Sequence, residues 1–407
     1  MIFKLIKNEL IKLLSRGKTW VVFGLFFVLI GGTIFLSYNS SKDSEYRNSP
    51  QGQIESLNKQ IDYANERIKN AEKSTESWAQ EEIINGKQQI EQANQSIKIQ
   101  EDLLKNQDAI DGWKKSLLDE KEKIQKSLDS KNGDEESTSY QKNRLEVINY
   151  YLDNDIKPVE NWKFNAFNYL KDIIQSLGLI ILVSGIAVFM SDMVSGESTP
   201  PTLKFLLVQP ISRGKVILSK FISVVITVVG MICGLELIAF GIVGVIGGFD
   251  GANIPQIIHT AYQFDYSNLD PTGNPMLSEV VNSGITATRG GALLQIFGMQ
   301  VLFIIACCAF VFLISAIFKS SMTTMALSVI ISVASTMACM VSGKVGKIAH
   351  LIFLNYGRTD GVIDGSICRV FNNPNFNINL GIGLMLGTII CSYVIAHIVF
   401  SKKDILI

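Results

Sequence analysis

Long apolar stretches alternate with polar ones along this chain. Each of six stretches is close to or longer than the roughly 18–20 residues that a helix needs to cross a hydrocarbon core. They are residues 19–37, 173–190, 221–248, 292–318, 322–341 and 378–400. The pattern therefore predicts an all-α integral membrane protein with six transmembrane helices.

The polar segments between these spans define the remaining parts of the chain. Residues 1–18 place basic side chains beside a helical row of apolar ones, which is typical of a helix that lies on a membrane surface and leads into a span. The other polar segments are 38–172, 191–220, 249–291, 342–377 and 401–407. The first span lacks the small-residue cleavage site of a signal peptide, so we expect the span to be retained.

Basic residues assign the two sides of the membrane. In the segment 191–220, hereafter the cytoplasmic loop, four basic residues outnumber two acidic ones: Lys204, Arg213, Lys215 and Lys220 against Asp192 and Glu197. The positive-inside rule then places this loop and both termini in the cytoplasm. The segments 38–172, 249–291 and 342–377 are expected outside the cell.

The insertion 38–172 is unusually long and polar for a connection between two spans. Its apolar positions first alternate three and four residues apart, as in a coiled-coil seam, at Leu57, Ile61, Ala64, Ile68 and Ala71. Such narrow stripes bury one another in an antiparallel hairpin or a short bundle. We therefore predict a large extracellular helical coiled-coil insertion. It is either a spacer or lid, or an arm within residues 51–137 that docks an extracytoplasmic partner or substrate.

A short amphipathic helix is predicted within the cytoplasmic loop. Three leucines share one face of residues 202–208, two prolines suit the first turn and Pro210 follows the end. Such a helix either lies among the lipid headgroups or receives a push from a soluble partner. The stretch alone leaves both interpretations open.

The cytoplasmic loop resembles that of the permease subunits of ATP-binding-cassette (ABC) exporters of the second type. Their pattern is E-x-x-x-G-T-x-K-x-L-L-x-x-P-x-S-R-x-K, followed by a span. This chain matches it at Glu197, Thr202, Lys204, Leu206, Leu207, Pro210, Ser212, Arg213 and Lys215, and has Pro201 where the family has Gly. Both ends of the chain are also similar to family members, whereas the motifs do not extend into the insertion.

The resemblance implies the permease subunit of an ATP-driven exporter. A separate ABC ATPase subunit, in two copies that hold ATP and Mg, would bind the loop through Glu197, Thr202, Lys204, Leu206, Leu207, Pro210, Arg213 and Lys215. A second copy of this permease, or a related one, would complete the path through the membrane lipid. Family members export drugs, peptides or lipids, and the sequence does not choose among these substrates.

The chain carries no recognisable catalytic motif. It has no G-x-x-x-x-G-K-[ST], H-E-x-x-H or G-x-S-x-G sequence. Its six cysteines lie in or near predicted spans and lack metal-ligand spacing. The 37 basic and 37 acidic residues give no overall basic field for nucleic acid. We therefore expect no enzyme activity, no cofactor, no metal and no nucleic-acid partner in this chain.

One acidic residue, Glu236, falls inside a predicted span. A carboxylate at that depth is costly unless it faces a polar cavity, finds a partner or is protonated. Glu236 and Gln300 on the fourth predicted span could line the translocation path. Alternatively, a neutral Glu236 is hydrogen-bonded to Gln300 for structural reasons.

A second hypothesis from another class is a membrane-anchored scaffold or sensor whose external arm binds a surface partner. It accounts for the insertion better than it accounts for Glu236 or for the register of the loop motif. The lysine- and asparagine-rich insertion favours a bacterial cell membrane.

Overall fold

The structure, a computed structural model, describes residues 2–74, 76, 78–105, 112–129, 135–198, 212–271, 273–341 and 343–402. Its contacts divide the chain into two compact units. The first unit contains residues 1–34, 120–157 and 165–407, and the second contains residues 35–119 and 158–164. The first unit holds most of the apolar helices.

Helices form most of the described chain. They are α1 (Ile2–Leu14), α2 (Gly17–Asn48), α3 (Pro50–Ala71), α4 (Trp78–Lys105), α5 (Gly112–Asp129), α6 (Glu135–Asp153), α7 (Ala166–Leu177), α8 (Ile181–Met190), α9 (Arg213–Gly247), α10 (Arg289–Ile317), α11 (Ser321–Val341), α12 (Gly343–Gly346), α13 (Thr359–Asp364), α14 (Ile367–Val370) and α15 (Ile378–Lys402). Short 3-10 turns lie at Ser195–Ser198, Ala349–Leu351 and Phe353–Gly357.

Five helices within the described residues are long and apolar enough to cross a membrane, namely α2, α9, α10, α11 and α15. A sixth candidate is the pair α7 and α8, which is bent by 65° at a short break. The predicted straight span 173–190 is therefore replaced by two short helices. The break includes Gly178, where a Cβ atom would lie only 2.5 Å from the carbonyl oxygen of Gly357. The two backbones approach too closely there for a side chain.

The α10 helix forms the centre of the first unit. It packs against α7, α8, α9, α11, α13 and α15. Several of its large side chains are fully buried, including Phe303, Ile304 and Phe312. This helix is apolar on all sides because its own chain, rather than lipid, covers most of it.

Four short strands lie within this mainly helical fold. They are β1 (Pro255–Ile258), β2 (Tyr262–Leu269), β3 (Pro275–Glu279) and β4 (Ile285–Thr288). The β1 strand pairs antiparallel with β4, and β2 pairs antiparallel with β3 across an irregular register. Both two-stranded sheets lie in the segment 249–291 that was predicted as a loop. In β2, Tyr262, Phe264 and Tyr266 alternate with polar residues, which was the available sequence signal for a strand.

Three polar segments of the first unit pack together. The α6 helix contacts β1 and β3, and Thr286 of β4 donates to Glu146 of α6 over 3.0 Å. The backbone N–H of His259 donates to the carbonyl of Ile363 in α13 over 2.7 Å. Residues before α7, between α9 and α10, and after α11 therefore meet at one end of the apolar helices.

In the second unit, α3 and α4 form a helical hairpin. Alanines occupy much of their contact, and Ala64, Ala71 and Ala93 are buried. A Cβ atom on Gly86 would lie 2.7 Å from the side chain of Ile68, so glycine permits this close contact. The helical pairing expected for this part of the insertion is present between α3 and α4. The position of the insertion outside the cell stays a prediction.

Candidate coupling and transport-path residues

Much of the predicted coupling site lies beyond the described part of the chain. Thr202, Lys204, Leu206, Leu207 and Pro210 all fall within 199–211, for which the structure gives no description. Glu197 belongs to the 3-10 turn Ser195–Ser198, but its side chain is likewise not described. The structure therefore adds contacts only for the two described ends of the cytoplasmic loop, residues 191–198 and 212–220.

The C-terminal end of the cytoplasmic loop, where α9 begins, is hydrogen-bonded to the last helix, α15. Arg213 donates from Nη1 to the carbonyl oxygen of Ser401 near the end of α15, over 3.1 Å. A Cβ atom on Gly214 would lie 2.8 Å from the imidazole of His397 in the same helix. Lys215 is exposed in the first turn of α9. Arg213, predicted as a contact to an ATPase, thus has an intramolecular partner on α15.

An ion pair joins α9 to the N-terminal helix. The Nζ atom of Lys220 lies 3.2 Å from both carboxylate oxygens of Glu9. The side chain of Lys220 is only 4% exposed, and that of Glu9 is 16% exposed. Nearby, Ser223 donates to the carbonyl oxygen of Ile6 over 3.1 Å. These contacts fix α1 along the first turns of α9.

A second ion-paired group lies at the other end of the loop. Asp192 accepts a hydrogen bond from Nζ of Lys18 over 2.9 Å, and Nη1 of Arg16 lies 3.6 Å from its other oxygen. Both ends of the loop are thus ion-paired to the N-terminal segment. In the sequence, Asp192 and Lys220 indicated only the sides of the membrane, and these pairings were not predicted. The acidic Glu9 within a basic helix was the available signal.

Glu236 and Gln300 are brought together inside the apolar helices. Nε2 of Gln300 donates to Oε1 of Glu236 over 2.7 Å. Both residues are buried, with 0% and 2% exposure. Among the described residues, Glu236 Oε2 and Gln300 Oε1 have no hydrogen-bond partner. This hydrogen bond is the one expected if Glu236 and Gln300 pair for structural reasons. A role of the two residues in the translocation path stays a prediction.

A polar cavity that the sequence analysis missed lies between α6, the β2–β3 sheet and α14. Its volume is about 420 Å³. Glu279 accepts hydrogen bonds from Arg369 over 2.9 Å and from Tyr262 over 3.1 Å. Burial raises the pKa of the Tyr262 hydroxyl, and the Glu279 carboxylate adds to this effect. On the α6 side, Arg144 forms two bonds to Glu120 over 2.7 and 2.8 Å. An anionic ligand would therefore have to displace a carboxylate already bound to each arginine.

Comparison with known proteins covers nearly the whole chain. The model of a family described as ABC-2 family transporter protein matches residues 3–405. The uncharacterized protein YhcI of Bacillus subtilis (strain 168) is 23% identical over 408 residues, which are 98% of each chain. No solved structure matches. The family match runs through the insertion, which the sequence motifs alone left outside the resemblance.

Proposed function

This chain belongs to the ABC-2 family of transporter proteins, and from that premise we propose that it is the permease of an ATP-driven exporter. The match over residues 3–405 is the observation that carries the proposal. Family membership makes the chain a multi-pass transporter permease with an ABC ATPase subunit as its partner. Export of a drug, peptide or lipid-like substrate, and coupling through residues 191–220, are the parts that we propose. The family match does not favour a scaffold or sensor.

We further propose six crossings with both termini in the cytoplasm. The N–H of Ala166, at the start of α7, donates to the carbonyl of Gly248, beyond the end of α9, over 3.1 Å. Asp192, just after α8, pairs instead with Lys18 at the start of α2. The Glu9–Lys220 pair places the starts of α2 and α9 at one end. These contacts support a bent pair α7–α8 that joins opposite ends of the bundle, as a crossing does.

Coupling to the ATPase would proceed through the cytoplasmic loop. In our proposal, two ATPase subunits bind the loop helices of two permease copies, and ATP-driven closure moves α8 and α9. Substrate would then pass outward by alternating access. The Glu236–Gln300 pair holds α9 against α10, so it is a candidate point at which the path is closed.

The proposal is tested by purifying the full chain from its own membranes and assaying the preparation for a co-purified ATP-hydrolysing subunit. We expect replacement of Leu206 and Leu207 by Asp to remove that subunit, because charge would disrupt the apolar face of the helix that the sequence predicts at 202–208. Gln209→Asp introduces charge in the same loop but keeps both leucines, and should retain the subunit. Absence of any ATP-hydrolysing subunit from the unaltered chain would refute the proposal.

A further inference from the structure

Ser315 makes an unusual set of contacts at the cytoplasmic end of α10. Its Oγ accepts hydrogen bonds from the backbone N–H groups of Val194 and Ser195, both over 3.1 Å. It also donates toward the carbonyl oxygen of Ser191 over 3.3 Å. The side chain is fully buried. One hydroxyl on α10 therefore holds three residues at the start of the cytoplasmic loop.

These bonds fix the start of the loop to α10. A buried backbone N–H without a partner is costly, and Ser315 supplies the partner for two such groups. Beyond the end of α8, the N–H groups of Met193 and Gly196 bond to the backbone of the turn, whereas those of Val194 and Ser195 bond to Ser315. We therefore expect the start of the loop and α10 to move together.

The other end of the loop is continuous with α9, which begins at Arg213. Besides the ion pairs that both ends make with the N-terminal segment, the two ends of the loop are thus connected to two different helices, α10 and α9. Those helices are joined again by the Glu236–Gln300 hydrogen bond of 2.7 Å. Gln300 lies 15 residues before Ser315 on α10, or about 22 Å along the helix axis.

We propose that Ser315 is a positioning residue that transmits displacement of the loop to α10. Since the opposite end of the loop moves α9, a change in the separation of the two loop ends makes α9 and α10 slide past each other. The single hydrogen bond between Glu236 and Gln300 responds to this sliding. An N–H···O hydrogen bond keeps its strength only at donor–acceptor distances of about 2.7–3.2 Å and weakens steeply when its angle falls below ~120°. This inference rests on the proposed ATPase coupling. It adds a route by which that coupling reaches the Glu236–Gln300 pair.

The test measures how accessible a cysteine near the contact between α9 and α10 is to a reagent, so no known substrate is required. Cys233 is buried and lies three residues before Glu236 on α9. In the complex with its co-purified ATPase, the rate at which N-ethylmaleimide labels Cys233 is followed by mass spectrometry with ADP and with ATP. We expect ATP to change this rate in the unaltered complex.

Ser315→Ala should reduce the ATP-dependent change in the Cys233 labelling rate by about tenfold, because the start of the loop loses its attachment to α10. The matched control is Ser328→Ala. Ser328 is equally buried, but its hydroxyl donates to Thr324 within its own helix over 2.7 Å. Ser328→Ala should therefore leave the ATP-dependent change intact.

The outcomes separate this inference from the proposed function. If no ATPase co-purifies with the unaltered chain, the proposed function fails. If the ATPase binds and hydrolyses ATP but the Cys233 rate is insensitive to ATP, the inference fails and the proposed function stands. An ATP-dependent change of equal size in the Ser315→Ala and unaltered complexes also overturns the inference. Recovery of the Ser315→Ala complex at unaltered yield excludes misfolding as the cause of a lost response.

Discussion

Removing Lys220 should strongly destabilise this protein, because its ammonium group is almost completely buried beside Glu9. In Lys220→Met, the methionine fills much of the same volume, while the Glu9 carboxylate loses both contacts of 3.2 Å. Removing one partner of a buried pair costs about 3–5 kcal/mol. Glu9 keeps 16% exposure, so water compensates in part, and we expect about 2–3 kcal/mol.

The measurement is thermal unfolding of the purified protein in detergent, followed by circular dichroism. The complementary exchange, Glu9→Lys with Lys220→Glu, should recover at least half of the loss, and the double-mutant cycle isolates the interaction. Lys59→Met is the matched control. Lys59 pairs with Glu55 over 2.7 Å, but its side chain is 73% exposed. Removal of such a surface pair should leave the midpoint of unfolding almost unchanged, because water already solvates both charges.

Two results would refute this reasoning. If Lys220→Met lowered the midpoint of unfolding no more than Lys59→Met, burial would not make the Glu9–Lys220 pair important. If the exchanged double variant were as unstable as the sum of its single variants, the two charges would not interact. In either case α1 would be held to α9 by its apolar face alone.

Three further predictions concern the packed interior and the segment after α11. Glu236→Ala should cost about 1–3 kcal/mol in thermal unfolding because the Gln300 amide loses its partner, whereas Glu236→Gln should cost less than half as much. Gly178→Ala should cost about 1–3 kcal/mol through overpacking, and Gly383→Ala, whose added Cβ meets no atom within 4 Å, should not destabilise. Burial raises the pKa of the Asp360 carboxyl above 3.8, although Arg358 opposes the shift. The folded state therefore binds this proton more tightly, so stability falls as pH rises from 3.8 through the raised pKa, and Asp360→Asn should remove that fall in unfolding measured across pH.

The apolar helices were readily predicted from the sequence. A helix such as α10 has an uninterrupted apolar run because neither lipid nor its neighbours can satisfy charged side chains there. The pairing of Glu236 with Gln300 was one of two interpretations that the same physics allowed, since an acid at that depth needs a partner, a polar cavity or a proton. In these cases the surroundings alone restrict the choice of residue.

Features that depend on contacts between distant residues were not predicted. The break beside Gly178 arises because the backbone of Gly178 approaches that of Gly357. No local sequence pattern predicts this approach. The Glu9–Lys220 pair joins residues 211 positions apart, and Lys220 looks like any basic residue at the end of a span. The strands β1, β3 and β4 were missed because their partners, rather than their own four or five residues, define them, whereas the alternation in β2 is visible in the sequence.

The buried pair also has a consequence for synthesis of the protein. Gln300 follows Glu236 by 64 residues, which corresponds to roughly 3–13 s of translation. During that interval the ribosome has delivered the acid but not the amide that binds it in the mature fold. Since an isolated carboxyl group enters a bilayer reluctantly, integration of α9 is favoured when α10 emerges and the two helices enter the lipid as one hairpin.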